Sequence, residues 1–308
     1  MDPSWAPPFD VLVISMHPEA SAAIRDVFPG VRVAAATDLR GADPRVLHEG
    51  GVITDEVFET ITYGRKYHHE IPTCGGVGLW ASVIEALGQS RRPLLLLKED
   101  CIPSPELPSV VRRLLAAAEP TAAEPTAAVR AATEPAAAEP AVEPAAAEPA
   151  AEGSAFDLAV FGPILVDTLL PASAPAHSGF GWCDGFFWGL HAVLYSSVGR
   201  TRARSMLKGP VVLQLDAKLS RLAVYGPPGD RAARLRILLQ RPEGRGLASQ
   251  AAHMSAIQGG DCTLCDMRPQ GDAPTRDEPA GGPRGVLAVI GGAALFVASI
   301  PIQLFTRR

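Results

Sequence analysis

Short apolar runs alternate along the chain with segments in which apolar residues recur at helical spacing. Apolar runs that end at charged or turn-forming residues are typical of buried strands, and they occur at 9–16, 31–37, 93–100, 156–165 and 185–196. Helical spacing marks 19–27, 75–87, 107–117 and 200–207, and 211–226 combines fragments of both patterns. This alternation predicts an α/β domain with a mostly parallel sheet flanked by helices.

Residues 116–153 interrupt this pattern with a low-complexity tract. The tract contains 18 alanines, six Glu-Pro pairs, one further Glu and a single Arg. Because each proline removes a helical hydrogen bond and the glutamates repel one another, it is predicted to be an extended, disordered insertion. A strand pattern resumes directly after it, and loop-closure entropy grows slowly with loop length. We therefore predict one domain over 9–258 that this tract interrupts.

The last part of the chain is predicted to be a polar linker, 259–284, followed by a transmembrane helix, 285–306. The second segment has 22 residues without a charge, flanked by arginines. A helix of that length spans about 33 Å, enough for a hydrocarbon core of about 30 Å; a buried core helix is the alternative. Residues 1–10 lack a signal-peptide pattern. The prediction is a single-pass tail anchor with the bulk of the chain in the cytosol.

Charge and cysteine content narrow the function classes. The formal net charge is −5, the tract contributes −6, and the remainder therefore sums to +1. No segment clusters Lys and Arg with interleaved aromatic residues, so nucleic acid is not an expected partner. Five scattered cysteines fit a reducing compartment rather than a disulfide scaffold. Cys262 and Cys265 form a Cys-x-x-Cys pair without the further ligands of a zinc site or the context of a redox motif.

Two acidic residues, Glu99 and Asp100, follow the most apolar of the predicted strands. In open α/β sheets, ligands bind outside the carboxyl ends of the strands. Carboxylate oxygens in that position suit Mg²⁺ or Mn²⁺ held against a nucleotide diphosphate. The alternative is a strand end that is simply solvated, and the pattern alone leaves both interpretations open.

The order of several short motifs carries more information than any one of them. The segments are VAAATD (33–38), GGVGLWAS (75–82), LLLLKEDC (94–101), GLHAVLYS (189–196), LQLDAKL (213–219) and Gln250 with Ser255-Ala256-Ile257. In this order they resemble glycosyltransferase family 25, the lipooligosaccharide and collagen galactosyltransferase-like group. That family has an Ala-Val-Asp-Gly-like turn, a Gly-Glu-Ile-Gly-Cys…Ser-His helix start, a strand ending Glu-Asp-Asp, a Gly-Thr-His-Ala-Tyr-Ile-Ile-Ser strand, a later Asp and a terminal Gln…Ser-Asp-Ile element. The resemblance covers about 10–115 and 155–257.

This resemblance implies a GT-A type nucleotide-sugar-binding fold and a hexosyltransferase activity. The implied reaction moves a hexose from a nucleotide-sugar donor to a hydroxyl of a glycan or protein acceptor at a membrane. The implied metal is Mn²⁺, or Mg²⁺, at Asp100. The implied donor-binding residues are Asp38, Gly75, Gly78, Ser82, Glu99 and His191. The implied catalytic residues are Asp216, as general base or acceptor-positioning carboxylate, and Asp184, as an acceptor contact.

For two of these residues, a purely structural role stays open as an alternative to the functional one. His191 lies inside an apolar strand, where a core histidine with one hydrogen bond is as reasonable as a residue of the donor cleft. Asp184 lies among glycines and aromatic residues, where an ordinary turn residue is the alternative to an acceptor contact.

Three positions depart from the family pattern and support further hypotheses. Gly76, Val83 and Cys101 stand where the family has Glu, His and the second Asp of Glu-Asp-Asp. A thiol prefers softer metals than Mn²⁺. Cys101 therefore supports a second hypothesis, a non-catalytic descendant that acts as a membrane-anchored binding or structural protein. A third hypothesis is an unrelated tail-anchored adaptor in which the Glu-Pro tract is the functional part.

Overall fold

The computed structural model describes residues 7–63, 72–118, 155–172, 174–242 and 246–250. Almost all of the predicted insertion, the linker at 259–284 and the span at 285–306 lie outside these residues, as do Cys262 and Cys265. The predictions for these segments stay predictions. Within the described ranges, no helix has the length and apolar character that crossing a membrane requires.

The described residues form twelve strands, eight of which belong to one sheet. The strands are β1 (Asp10–Ser15), β2 (Arg32–Ala35), β3 (Leu94–Lys98), β4 (Cys101–Pro103), β5 (Leu158–Val160), β6 (Leu165–Val166), β7 (Leu169–Pro171), β8 (Phe180–Cys183), β9 (Phe187–Trp188), β10 (Ala192–Tyr195), β11 (Ile237–Gln240) and β12 (Ala248–Gln250). The order in the large sheet is β2-β1-β3-β10-β5-β11-β8-β7. Two small sheets, β12-β4 and β6-β9, complete the set.

Six of the eight strands of the large sheet run in one direction, as the pairings require. β1 is parallel to β2 and β3, and β5 is parallel to β11. β10 is antiparallel to both of its neighbours, β3 and β5, and β8 is antiparallel to β11 and β7. The α/β class is confirmed, with a mixed sheet. The ends of β1, β3, β5 and β11 and the start of β10 lie along one edge, which we call the carboxyl edge.

Seven α-helices and two short 3₁₀ helices are found among the described residues. The α-helices are α1 (Ala22–Val27), α2 (Pro44–Glu49), α3 (Asp55–Tyr63), α4 (Cys74–Gln89), α5 (Leu107–Ala118), α6 (Ser197–Met206) and α7 (Leu215–Val224). The 3₁₀ helices are Pro175–His177 and Arg231–Ala233.

The helices cover both faces of the sheet because its central strands are apolar on both sides. Alternate residues of a strand point to opposite faces, and β3 divides accordingly. Leu94 and Leu96 pack in one cluster with buried residues of α4, α6 and α7, and Leu95 and Leu97 pack in the other with α1 and α5. The result is a three-layer arrangement within one compact unit, the flanked sheet that the apolar runs predict.

Several predicted boundaries differ from the observed ones for local reasons. The helix predicted over 19–27 begins only at Ala22, because Ser21 caps it by accepting a hydrogen bond from the Ile24 amide at 3.4 Å. The strand predicted over 156–165 is divided into β5 and β6 at Gly162, where φ is +59°. At 211–226 the structure has α7, and Val211 forms only an isolated parallel bridge with Ile53.

Candidate functional site

The carboxyl edge brings together polar residues that are far apart in the sequence. Lys98 is the last residue of β3 and is followed by Glu99 and Asp100, while His191 directly precedes β10. The Lys98 amide donates to the His191 carbonyl at 2.9 Å, which joins the two segments. Asp216, in the first turn of α7, faces the same region. This is the edge at which α/β sheets bind ligands.

Glu99 is fixed to the end of β1 through one of its two carboxylate oxygens. Its Oε2 accepts hydrogen bonds from the Ser15 hydroxyl at 3.0 Å and from the Met16 amide at 2.8 Å. Its own amide donates to the Ile14 carbonyl at 3.1 Å. Its other oxygen, Oε1, is buried and has no hydrogen-bond partner among the described residues. Glu99 is therefore held rigidly and keeps one acceptor unused.

Asp100 forms a buried ion pair with Lys98. The Lys98 ammonium lies 3.3 Å from Asp100 Oδ2, and the two side chains are only 9% and 6% exposed. The Gln250 side-chain amide donates to the same oxygen at 2.7 Å. Asp100 Oδ1 is buried without a partner in the described part of the chain. A buried carboxylate needs a compensating charge and hydrogen-bond donors. Lys98 supplies the charge, and Gln250 supplies a hydrogen bond.

Cys101 is a buried thiol that packs away from this pair. Burial, followed by the nearby charge of Asp100, raises the pKa of its thiol to about 12, although Lys98 acts in the opposite direction. Its side chain belongs to the apolar cluster that contains Leu95 and Leu97. Because the thiolate is the form that binds metals, Cys101 is poorly suited to replace a carboxylate ligand.

His191 is an almost fully buried, neutral imidazole. Burial, and then the positive charge of Lys98, lower its pKa to about 4, while Asp100 and a hydrogen bond to the Gly162 backbone oppose the shift. The ring Nε2 is buried without a partner in the described ranges. A Cβ on Gly162 would approach Nε2 to 3.3 Å, and one on Gly189 would approach the ring Cε1 to 3.4 Å. The two glycines thus hold the ring between backbone segments.

Asp216 has the properties of a carboxylate that can take up a proton. Its Oδ2 accepts from the Gly189 amide at 3.5 Å and its Oδ1 from the Ala217 amide at 3.1 Å. Burial raises its pKa to about 6, and these backbone hydrogen bonds and the charge of Lys98 limit the rise. At pH 7 Asp216 is mostly ionised, but its pKa lies close to the range in which a general base is effective.

The predicted donor-binding residues on α4 have structural contacts. A Cβ on Gly78 would lie 2.3 Å from the Thr37 carbonyl oxygen, so only glycine permits the observed approach of α4 to the chain after β2. The Ser82 hydroxyl accepts from the Thr37 amide and donates to the Gly78 carbonyl, both at 2.8 Å. Gly75 is buried in the first turn of the helix. Gly78 and Ser82 position the segment that carries Asp38, and donor contacts by these residues stay predictions.

Asp38 and Asp184 lie on loops and are solvent-exposed to different degrees. Asp38 pairs with Arg40, whose hydrogen bonds lower the Asp38 pKa to about 2. Asp184 is exposed on the connection between β8 and β9, and its amide donates to the Thr168 carbonyl at 3.3 Å. These contacts agree with a turn position for Asp184. Its contact with an acceptor stays a prediction.

Lys98 is the residue that the sequence analysis missed. A single lysine that ends a strand of four leucines is a visible signal, because an ammonium group in an apolar strand needs a buried partner or a ligand. Its ion-pair partner, Asp100, is two residues away in the sequence, whereas His191 and Asp216, whose pKa values its charge lowers, are far away in the sequence. Gln250 is indicated in the sequence only by the resemblance to the family pattern.

The Lys98 ammonium disfavours a divalent cation at Asp100, whereas Glu99 and Asp216 add two carboxylates to the same edge. Within the described ranges, no three His, Cys, Asp or Glu side chains are grouped so that they could hold a metal ion. A cation bound to Asp100 would lie beside the Lys98 ammonium. At about 4 Å and an effective dielectric constant of about 20, each pair of unit charges repels by about 4 kcal/mol, and a divalent ion doubles that. Asp100, paired with Lys98 and without two further ligand side chains grouped with it in the described ranges, does not fit Mn²⁺ or Mg²⁺ as a ligand.

Comparison with known proteins adds no assignment. No family model matches the chain, and no curated protein is significantly similar to it.

Proposed function

We propose that this protein is a glycosyltransferase that moves a hexose from a nucleotide-sugar donor to a hydroxyl of a glycan or protein acceptor at a membrane. We infer in addition that its mixed sheet is a GT-A type nucleotide-sugar-binding fold. The main support is the group of four predicted site residues, Glu99, Asp100, His191 and Asp216, from three separate segments at one edge of the sheet.

The unpartnered atoms of this group indicate the chemistry of the ligand. Glu99 Oε1 and Asp100 Oδ1 are carboxylate oxygens, and both are buried with no partner in the described part of the chain. His191 adds a buried ring nitrogen, Nε2, that has no hydrogen-bond partner in the described ranges. Two carboxylate acceptors and a ring nitrogen, all without partners, favour a ligand rich in hydroxyl groups, because a hydroxyl both donates and accepts and each unmade hydrogen bond of a buried group costs about 1–3 kcal/mol. A sugar supplies such hydroxyls.

Asp216 is assigned the role of general base in the transfer. The acceptor hydroxyl oxygen forms a bond to the anomeric carbon of the donor sugar, and its proton passes to the Asp216 carboxylate. The bond between that carbon and the phosphate oxygen breaks, and its electron pair leaves with the nucleoside diphosphate. Water replaces the acceptor in the slower hydrolysis of the donor, which serves as an assay when the acceptor is unknown.

A membrane-anchored binding protein without catalytic activity is the second candidate. It is favoured by Cys101, whose buried neutral thiol stands where a carboxylate would be expected. This candidate predicts that a donor binds and is not hydrolysed, whereas a transferase hydrolyses at least one of the donors it binds.

We expect the full-length protein to bind and slowly hydrolyse at least one member of a panel of uridine and guanosine diphospho-sugars. Calorimetric titration measures binding, and phosphorus NMR measures release of the nucleoside diphosphate. Glu99→Gln replaces the unused acceptor by an amide and should weaken donor binding by about ten- to a hundredfold. Glu49→Gln, at an exposed position of α2, is the matched control and should bind as the wild type does. A wild-type protein that binds none of the donors would refute the proposed function.

We propose that residues 285–306 anchor the chain in a membrane and leave its bulk in the cytosol. A double substitution, Leu295→Arg with Phe296→Arg, places two charges at the centre of the uncharged segment. Each arginine there costs about 2.5–3.5 kcal/mol of insertion free energy, so the carbonate-resistant membrane fraction should be largely lost. Gln270→Arg in the linker is the control and should keep the wild-type distribution. If the wild type and both variants showed the same membrane fraction, the proposal that residues 285–306 are a membrane anchor would be wrong.

A further inference from the structure

Lys98 places a fixed positive charge at the centre of the carboxyl edge. It is the one charged residue of β3, and its ammonium lies 3.3 Å from Asp100 Oδ2 with 9% of the side chain exposed. The same charge acts on His191 and on Asp216, from two other segments. An ammonium so deeply buried is retained in a fold only if it is paired, and the pair with Asp100 meets that condition.

The Lys98–Asp100 pair has the same net charge as a divalent cation held by two carboxylates. Both arrangements sum to zero. In this chain the position after Asp100 is Cys101, a neutral thiol that is buried in the apolar cluster on the other face. One negative charge and one built-in positive charge thus stand where two negative charges and a bound cation would be needed.

The hydrogen-bond geometry leaves the ammonium with capacity for a ligand. Asp100 Oδ2 receives the Gln250 amide at 2.7 Å as well as the ammonium, so this carboxylate does not depend on Lys98 alone for a donor. An ammonium group has three N–H donors, and the contact with Asp100 uses one of them. Phosphate oxygens are acceptors that an ammonium binds as a point charge.

We propose that Lys98 supplies the positive charge that a divalent cation would otherwise supply, so that the diphosphate of the donor binds without metal. This inference rests on the proposed glycosyltransferase function. In the transfer step, the electron pair of the broken bond between the sugar carbon and the phosphate oxygen goes to that oxygen. Lys98 offsets the resulting negative charge, and Asp100 with Gln250 holds the lysine in position.

The first test compares donor binding with and without metal, using the panel of uridine and guanosine diphospho-sugars and the full-length protein. We expect equal affinity in EDTA and in Mn²⁺. Lys98→Met should weaken binding in EDTA by about ten- to a hundredfold, the loss typical of a hydrogen bond to a charged group. Lys98→Arg keeps the charge and should retain most of the affinity. Lys208→Met, at an exposed position after α6, should not change it.

A second measurement does not depend on the donor. Electron paramagnetic resonance of Mn²⁺ alone should show no binding to the wild type at micromolar concentrations. Lys98→Met removes the ammonium and leaves the Glu99 and Asp100 carboxylates, so this variant should bind Mn²⁺ more tightly than the wild type does. Circular dichroism of each variant verifies folding. If Lys98→Met does not fold without its charge, Lys98→Gln, which removes the charge but keeps a donor for Asp100, replaces it in the first test.

The outcomes separate the inference from the proposed function. Donor binding that requires Mn²⁺, or that Lys98→Met leaves unchanged in EDTA, overturns the role of Lys98 and leaves the glycosyltransferase proposal standing. Tight binding of Mn²⁺ alone by the wild type also overturns it. A wild-type protein that binds no donor in either condition refutes the proposed function, and the inference with it.

Discussion

Replacing Asp216 by Asn should lower donor hydrolysis by about two to four orders of magnitude, the contribution typical of a positioned general base. The amide has nearly the same shape, and its single oxygen keeps one of the two hydrogen bonds that the Gly189 and Ala217 amides donate to the carboxylate in the wild type. It has no basic oxygen. The rate should therefore fall while the affinity for the donor changes little. The measurement is the release of nucleoside diphosphate under saturating donor.

The pH dependence gives this prediction an independent check. Burial raises the Asp216 pKa to about 6, and a general base acts only when it is deprotonated. The wild-type rate should be constant at pH 7 and above and should fall as the pH drops through about 6. The Asp216→Asn rate should lack this step. Asp26→Asn, at an exposed position of α1, is the control and should show the wild-type profile. An unchanged rate of hydrolysis in Asp216→Asn would rule out Asp216 as the general base.

Replacing Gly199 by Ala should destabilise the domain by about 3 kcal/mol or more, at the upper end of what overpacking a rigid site causes. A Cβ on Gly199 would lie 2.0 Å from the Asp157 carbonyl oxygen and 2.4 Å from its carbonyl carbon. These are backbone atoms at the start of β5, which no side-chain rotation can move away.

If α6 moved away to relieve this contact, its other contacts with the residues at the start of β5 would be weakened. The Ser196 hydroxyl caps the helix by accepting from the Gly199 amide at 3.0 Å, and the Ser196 amide donates to the Asp157 carbonyl at 3.0 Å. Arg202, one turn further along, forms an ion pair with the buried Asp157 carboxylate. A shift of the helix weakens all three contacts together.

Urea unfolding of the two proteins measures the effect. Gly41→Ala is a matched control, because a Cβ there meets no atom within 4 Å, and it should change the free energy of unfolding by less than about 0.5 kcal/mol. If Gly199→Ala is as stable as Gly41→Ala, the close approach of α6 to β5 does not exist in solution.

The candidate site was only partly predictable from the sequence. Glu99 and Asp100 were identifiable because acidic residues directly after an apolar strand fall at its carboxyl end. Gly78, in contrast, acts through the close approach of a helix to the Thr37 carbonyl. That approach is a property of packed backbones, and a glycine motif by itself does not distinguish it from a phosphate-binding turn.

The sequence by itself determined the type and the order of several core elements, because helical and strand periodicity are local properties of the chain. It predicted β1, β3, α4 and α5 to within a few residues, and with them the α/β class. The tertiary structure alone decided that β10 enters antiparallel between β3 and β5. That insertion carries His191 to the end of β3, and α7 and β12 bring Asp216 and Gln250 to the same edge. The groups that surround the Lys98–Asp100 pair are thus set by contacts between segments up to 150 residues apart, which depend on how the layers pack and leave no local pattern in the chain.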